Sequence, residues 1–314
     1  MSLNIDVVVV GCGAVGSTVA LALARAGVQV AAVTRSGTDG CRWDMVLVEG
    51  LGFGELLVCG WTGAARLRPR LVVYAVKAYD LTSAVEDSLQ AGWNPEAVVS
   101  LQNGLGSLEL LSKTYGVDRA IGGVVYFGAV GVAPCRARLL GRGGLLLGCW
   151  ARGGSCSFWS HQLAEALTAG GLPSSHVGDV EPYRWLKLAV NAAINPVTVL
   201  AWSRNKVILE NPDAGKLAAQ LAREVALVAW RRGVELPGDP VEEVFRVARA
   251  TGDNCSSMLQ DVARRGRSEV DYINGSVARE AWRLGLRAPF NEAMWRAVRL
   301  LERWLAGRRL PCEI

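Results

Sequence analysis

The chain has 314 residues, 51% hydrophobic and 20% charged, with a formal net charge of +5 at pH 7. That length suits two ordinary domains or one large one with a full core. Its arginines are scattered, with no basic run of the kind that tracks nucleic acid. The longest charge-free apolar stretch, Leu188–Ser203, is short and holds two asparagines and a proline, which argues against a membrane span.

MSLNIDVVVVGCG at the N-terminus has no basic residue ahead of its apolar run and reads as a first strand rather than a leader. GSTVALALARAGVQ then has helical spacing, and VQVAAVTR is a second strand. LVVYAVK (71–77) and AVVSLQNG (97–104) come next, each ending in polar or glycine-rich residues. This order predicts a doubly wound α/β domain with a parallel sheet, whose ligands bind beyond the carboxyl ends of the strands. A more β-like stretch over 122–150 is expected to extend or edge that sheet. GGLPSSHVGDVEP (170–182) breaks the pattern, and from Tyr183 onward the periodicity is helical almost throughout. The expected division is 1–178, Rossmann-like, and 179–314, all-helical. Eight cysteines at irregular intervals form no CxxC or Cys/His metal pattern. They are expected to be mostly buried thiols of a cytoplasmic protein, with disulfides entering if the source is a hyperthermophile.

Gly11, Gly13 and Gly16 have the G-x-G-x-x-G spacing, between a strand and a helix. Glycines there allow a tight turn and close backbone approach to a pyrophosphate, which a helix N-terminus attracts. The loop, with Cys12, Ala14 and Val15, is therefore the candidate dinucleotide site. The second strand ends in Arg35 where an NAD-specific domain usually has an acid. That arginine can pair with a 2′-phosphate, favouring NADPH over NADH, or be an ordinary solvated loop residue. Lys77 and Asn103 come directly after strands and are expected at the cofactor side of the sheet.

In WLKLAVNAAINPVTVL (185–200), Lys187, Asn191 and Asn195 recur at intervals of four and share one helix face. In a desolvated cleft a lysine's pKa falls towards useful general acidity, and a snorkelling lysine fits the spacing equally well. SSMLQDVARRGRSEVDYINGS (256–276) reads as a helical stretch bearing Ser256, Ser257, Gln260, Asp261, Glu269, Asp271 and Asn274. Glu269 could pair with Lys187, or the whole patch could be a capped, solvent-facing helix.

Taken in order, GCGAVGS, VKAYD, LQNGLG, KLAVNAAINPVTVL and SSMLQDVARRGRSEVDYINGS resemble the ketopantoate reductase (2-dehydropantoate 2-reductase) family over nearly the whole chain. The resemblance implies a Rossmann-like dinucleotide-binding domain followed by an all-α C-terminal domain, 6-phosphogluconate dehydrogenase C-terminal-like, in a homodimer. It implies NADPH-dependent reduction of ketopantoate to pantoate, on the route to pantothenate and coenzyme A. By motif, Lys187 is the implied general acid and Glu269 the group orienting lysine and substrate. Asn103, Asn191, Asn195, Asn205 and Ser257 are implied substrate contacts, with Ser257 on the carboxylate. Gly11 to Gly16, Arg35, Lys77, Asn103 and Glu269 are implied cofactor positions, and Gly128 a backbone contact. Residues 124–140 match the family poorly. Rival readings are a reductase of another 2-oxo or 3-oxo acid with the same two-domain build, and a non-catalytic NADPH sensor.

Overall fold

The computed structural model describes residues 5–35, 40–141, 143–150, 155–264 and 266–305. The chain divides into two compact units, one of Met1–Gln102 with Ser107–Val180, the other of Asn103–Gly106 with Glu181–Ile314. The cut thus falls two residues later than 178/179. The short segment Asn103–Gly106, interior to the first domain by sequence, goes with the second.

In chain order the first unit contains β1 (Val7–Val10), α1 (Ala14–Arg25), β2 (Val30–Val33), β3 (Cys41–Glu49), β4 (Gly52–Cys59), α2 (Trp61–Ala64), β5 (Leu71–Tyr74), α3 (Leu81–Gln90), β6 (Ala97–Ser100), α4 (Ser107–Tyr115), β7 (Ala120–Val125), β8 (Ala129–Ala133), β9 (Arg136–Leu139), β10 (Leu145–Cys149), α5 (Ser155–Ala169) and β11 (Ser174–Val177). The strands form one sheet in the order β11-β10-β7-β6-β5-β1-β2-β4-β3-β9-β8. Four-residue strands β1, β2, β5 and β6 are buried throughout and pair in parallel, as strands covered on both faces must. The sheet grows outward in both directions from β1, with β2 on one side and β5 on the other, so the loop after β1 lies at a topological switch point.

Two features escape the hydrophobic pattern. The β3–β4 hairpin turns Val46 and Val48 into the core while exposing Trp43 and Met45, so its large apolar residues lie on the wrong face for a pattern reading. Strand β11 lies inside the Gly/Pro/Ser-rich stretch that breaks the pattern; it pairs in parallel with β10 although rich in serine. The cysteine expectation is corrected too. Six of the eight form disulfides, Cys12–Cys135, Cys41–Cys59 and Cys149–Cys156, while Cys255 is free and exposed. Cys312 lies outside the described residues.

The second unit is helical: α6 (Glu181–Ala201), α7 (Val207–Glu210), α8 (Pro212–Arg231), α9 (Pro240–Ala250), α10 (Ser257–Ala263), α11 (Asn274–Arg283) and α12 (Pro289–Leu305). Asn211 and Asp239 cap α8 and α9 through their side-chain oxygens, each followed by a proline whose missing N–H costs nothing at the first helical position. The stretch 256–276 is not one helix. Ser256 caps α10, that helix ends at Ala263, and a tight turn over 268–273 leads into α11.

Central helix α6 is touched by α8, α9, α10 and α12 and contains Pro196. A proline inside a helix offers no N–H to the carbonyl four residues back, here that of Ala192. Asn274 supplies the missing donor: its Nδ2 lies 2.9 Å from the Ala192 oxygen. The same nitrogen donates to Asn291 Oδ1 at 3.0 Å, and Asn291 donates in turn to the Leu221 carbonyl and the Glu224 carboxylate. One buried carboxamide network therefore joins α6, α8, α11 and α12. Asn274→Ala would leave buried acceptors without a donor, and urea unfolding should show a loss of about 1–3 kcal/mol. A loss within a few tenths of zero would show that the network adds nothing to stability.

Candidate active site

The first group of site residues lies in the α/β unit. Gly11 has φ +102°, and a Cβ there would press on the Val76 nitrogen at 2.8 Å; a Cβ at Gly16 would overlap the Gly11 carbonyl oxygen. Strand, loop and helix can approach this closely only through glycine. A Cβ at Gly13, by contrast, meets nothing within 4 Å. Among the described residues no side chain caps α1, and its first turn carries no acid. The space beside Gly13 is open, with the positive end of the helix behind it, which fits a pyrophosphate. Ser17 and Thr18 turn their hydroxyls back onto the Gly13 and Ala14 carbonyls and leave that space clear.

Arg35 does not stand alone beside this loop. Its two terminal nitrogens donate to the two oxygens of Asp80 at 2.9 and 2.8 Å, although its side chain is 76% exposed. Lys77 stands at the start of the short turn Ala78–Asp80 that carries this acid. The Gly128 carbonyl accepts from the Leu140 amide at 2.8 Å, at the start of the β8–β9 hairpin. Gln102, which the pattern did not single out, donates to the Tyr74 and Val76 carbonyls at 2.8 and 3.0 Å and so ties the ends of β5 and β6.

The second group lies in the helical unit. Lys187, mostly buried on α6, is held below the ordinary lysine range by burial. Glu243 on α9 opposes that shift and Arg246 adds to it. Glu243 also accepts both ends of the Arg246 guanidinium at 2.6 Å. One turn along α6, Asn191 Nδ2 donates to Asn103 Oδ1 at 3.1 Å, and Asn103 Nδ2 donates to Glu269 at 3.2 Å. Asn103 therefore belongs with the helical unit's polar groups and not with the sheet's. The buried Asn195 makes no side-chain hydrogen bond among the described residues.

Glu269 sits in the 268–273 turn, which is fastened from outside. The Ser268 amide donates to Glu302 at 2.8 Å, Arg279 to the Asp271 carbonyl at 2.6 Å, and Trp295 Nε1 to the Asp271 carboxylate at 2.7 Å. Asn205 uses Nδ2 on Thr251 while its Oδ1 is buried without a partner. Ser257 is exposed at the first turn of α10, whereas its neighbour Ser256 is committed to the cap and to Thr198. Nothing in the helical periodicity announced the Asn191–Asn103–Glu269 chain, because it joins positions 88 and 166 residues apart in sequence.

Comparison with known proteins decides the family. Residues 7–152 match the family model "Ketopantoate reductase PanE/ApbA", and residues 179–302 match its C-terminal companion. The chain is 40% identical over 298 residues to 2-dehydropantoate 2-reductase of Pyrobaculum aerophilum, covering 94% of this chain and 97% of that one. The chain belongs to the ketopantoate reductase family.

Among solved structures, a PanE/ApbA family ketopantoate reductase from Ralstonia eutropha superimposes with a TM-score of 0.84 at 26% identity, covering 97% of this chain and 100% of that one. A ternary structure of D-mandelate dehydrogenase with NADH and anilino(oxo)acetate has the same fold, with a TM-score of 0.84 at 21% identity, over 97% of this chain and 100% of that one. No helix among the described residues is long and apolar enough to cross a membrane.

Burial of Lys187 also sets a pH dependence of stability. Its folded-state pKa lies below the ordinary 10.5, so between the two values the unfolded chain binds more protons and stability rises with pH. The cost of burying the ammonium is full below the folded-state pKa and fades as pH climbs towards the unfolded one. Lys187→Met should therefore be more stable than the parent at pH 7, by a margin that shrinks towards about pH 10. Urea titrations of both proteins across that range check this, and a margin that stays flat with pH would sink it.

Proposed function

We propose that this protein is a 2-dehydropantoate 2-reductase, which reduces the C2 carbonyl of ketopantoate to the alcohol of pantoate with NADPH, on the route to pantothenate and coenzyme A. The observation that carries the reading is a desolvated lysine on the same α6 face as the buried residue Asn195, whose carboxamide has no protein partner among the described residues. Such a face is costly in a helix that needs only to be buried, and it suits an oxygen-rich, anionic substrate. The 40% identity to the Pyrobaculum aerophilum enzyme supports the choice of substrate.

When bound, the reduced dinucleotide supplies the hydride. Gly11, Gly13 and Gly16 with the first amides of α1 receive its pyrophosphate, and Lys77 adds positive charge nearby. Lys187 donates a proton to the carbonyl oxygen as negative charge develops there, and its own charge stabilises that oxygen more in the transition state than before it. Asn191 and Asn195 orient the substrate, Ser257 holds its carboxylate, and Glu269 is steadied through Asn103. A rate gain of roughly 10²–10⁴ is what such a proton donor contributes. Lys187→Ala should lose turnover on that scale with NADPH binding nearly unchanged. Steady-state kinetics on ketopantoate, 2-oxoisovalerate and pyruvate test both parts of the reading. Substantial turnover by the variant removes the general acid, a preference for another acid removes the substrate, and cofactor binding without oxidation favours a sensor.

NADPH preference rests on Arg35, whose guanidinium Asp80 holds in a bidentate pair. A 2′-phosphate has to compete with that carboxylate, so discrimination is expected to be modest. Arg35→Ala should raise KM for NADPH several-fold more than KM for NADH, and Asp80→Asn should lower KM for NADPH. Equal changes for the two cofactors would remove Arg35 from phosphate recognition. A homodimer is part of the proposal, in keeping with Trp230, Leu300 and Trp304 exposed on the helical unit.

A further inference from the structure

The Cys12–Cys135 disulfide joins the middle of the glycine loop to the turn of the β8–β9 hairpin, 123 residues away in sequence. The two are also joined through the backbone, since the Cys135 amide donates to the Cys12 carbonyl at 2.9 Å. Cys135 adopts φ +55°, a conformation uncommon outside glycine, to present both its amide and its sulfur to the loop. Its own carbonyl accepts from the Leu47 amide of β3 at 3.2 Å, which anchors the turn to the sheet. On the same hairpin Gly131 lacks a side chain where a Cβ would stand 3.7 Å from the Ala14 nitrogen, the first residue of α1. The hairpin therefore lies against the end of the helix that faces the dinucleotide, and is fixed there covalently.

We propose that Cys135 is a positioning residue for the dinucleotide: through its disulfide to Cys12 it holds the glycine loop in the shape that receives the pyrophosphate, so that cofactor affinity falls when the bond is reduced. This rests on the reductase reading above. Cys12 is flanked by Gly11 and Gly13, the residue type with most backbone freedom to lose. Released from the hairpin, the loop must be ordered at the expense of binding, and ordering one residue is worth roughly tenfold in affinity. Dithiothreitol supplies the two electrons and two protons that turn the disulfide into two thiols, closing itself to a cyclic disulfide.

The test is fluorescence titration of NADPH on the air-oxidised chain, the dithiothreitol-reduced chain, Cys135→Ser, and a control with Cys149→Ser and Cys156→Ser. Thiols are mapped by alkylation and mass spectrometry. Reduced chain and Cys135→Ser should each bind NADPH about tenfold more weakly than the oxidised chain, while the control stays within about twofold. At saturating NADPH, kcat and KM for ketopantoate should be unchanged in Cys135→Ser. If that variant fails to fold, the reduced wild-type chain decides. An unchanged affinity with Cys12 and Cys135 both alkylated overturns the proposal, as does an equal loss in the control or finding both thiols free in the oxidised chain. Absence of NADPH binding by the oxidised chain would instead overturn the reductase reading itself.

Discussion

A lysine and two asparagines carried along one face of a buried helix are the constraint to which the helical unit is built. Polar groups in an apolar interior are tolerable only when partnered or turned to a ligand. Asn191 is partnered by Asn103, Lys187 lies in the field of Glu243 and Arg246, and Asn195 has no side-chain partner among the described residues. Pro196 sits immediately after Asn195 and opens the backbone of the same helix at Ala192. Asn274 closes that gap with its side chain, five residues after Glu269. The segment that presents Glu269 and the residue that repairs α6 are thus one stretch of chain, and the 268–273 turn cannot shift without disturbing both.

The α/β unit meets a different demand. Its central strands are nearly interchangeable apolar runs, distinguished by the residues just beyond their carboxyl ends. After β1 comes a loop in which Gly11 and Gly16 are required by contacts with Val76 and with the loop's own carbonyl, while space is left open at Gly13. After β5 come Lys77 and the acid that holds Arg35; after β6 comes Gln102, which braces the ends of both strands. The rigid part of the unit is apolar, and the chemistry is confined to its rim.

The sequence made legible whatever repeats at short range. Hydrophobic runs of four to five residues located β1, β2, β5 and β6, the glycine spacing located the tight turn between β1 and α1, and helical periodicity located α6 and the change of character near residue 180. The features that stayed hidden depend on partners distant in the chain. Arg35 and Asp80 are 45 residues apart, Asn103 and Glu269 166, and Cys12 and Cys135 123, and no local pattern pairs them. The β3–β4 hairpin escaped because Trp43 and Met45 lie outward, inverting the usual pattern. The helical stretch expected over 256–276 breaks after Ala263, and a turn held by Arg279, Trp295 and Glu302 carries Glu269 instead.

The sharpest case is LQNG, where two adjacent residues serve different units. Gln102 turns to the Tyr74 and Val76 carbonyls of the sheet, while Asn103 turns to Asn191 and Glu269 among the helices. Gly104 makes the change of direction possible: its φ is +86°, and a Cβ there would overlap the Tyr272 carbonyl, to which the Leu105 amide donates at 3.0 Å. Four residues of a loop between β6 and α4 are thereby committed to the turn that carries Glu269. A side chain at position 104 would strain that attachment while leaving every strand of the sheet intact. The glycine is therefore required by the polar chain of the helical unit, although in sequence it reads as an ordinary strand-ending loop of the sheet.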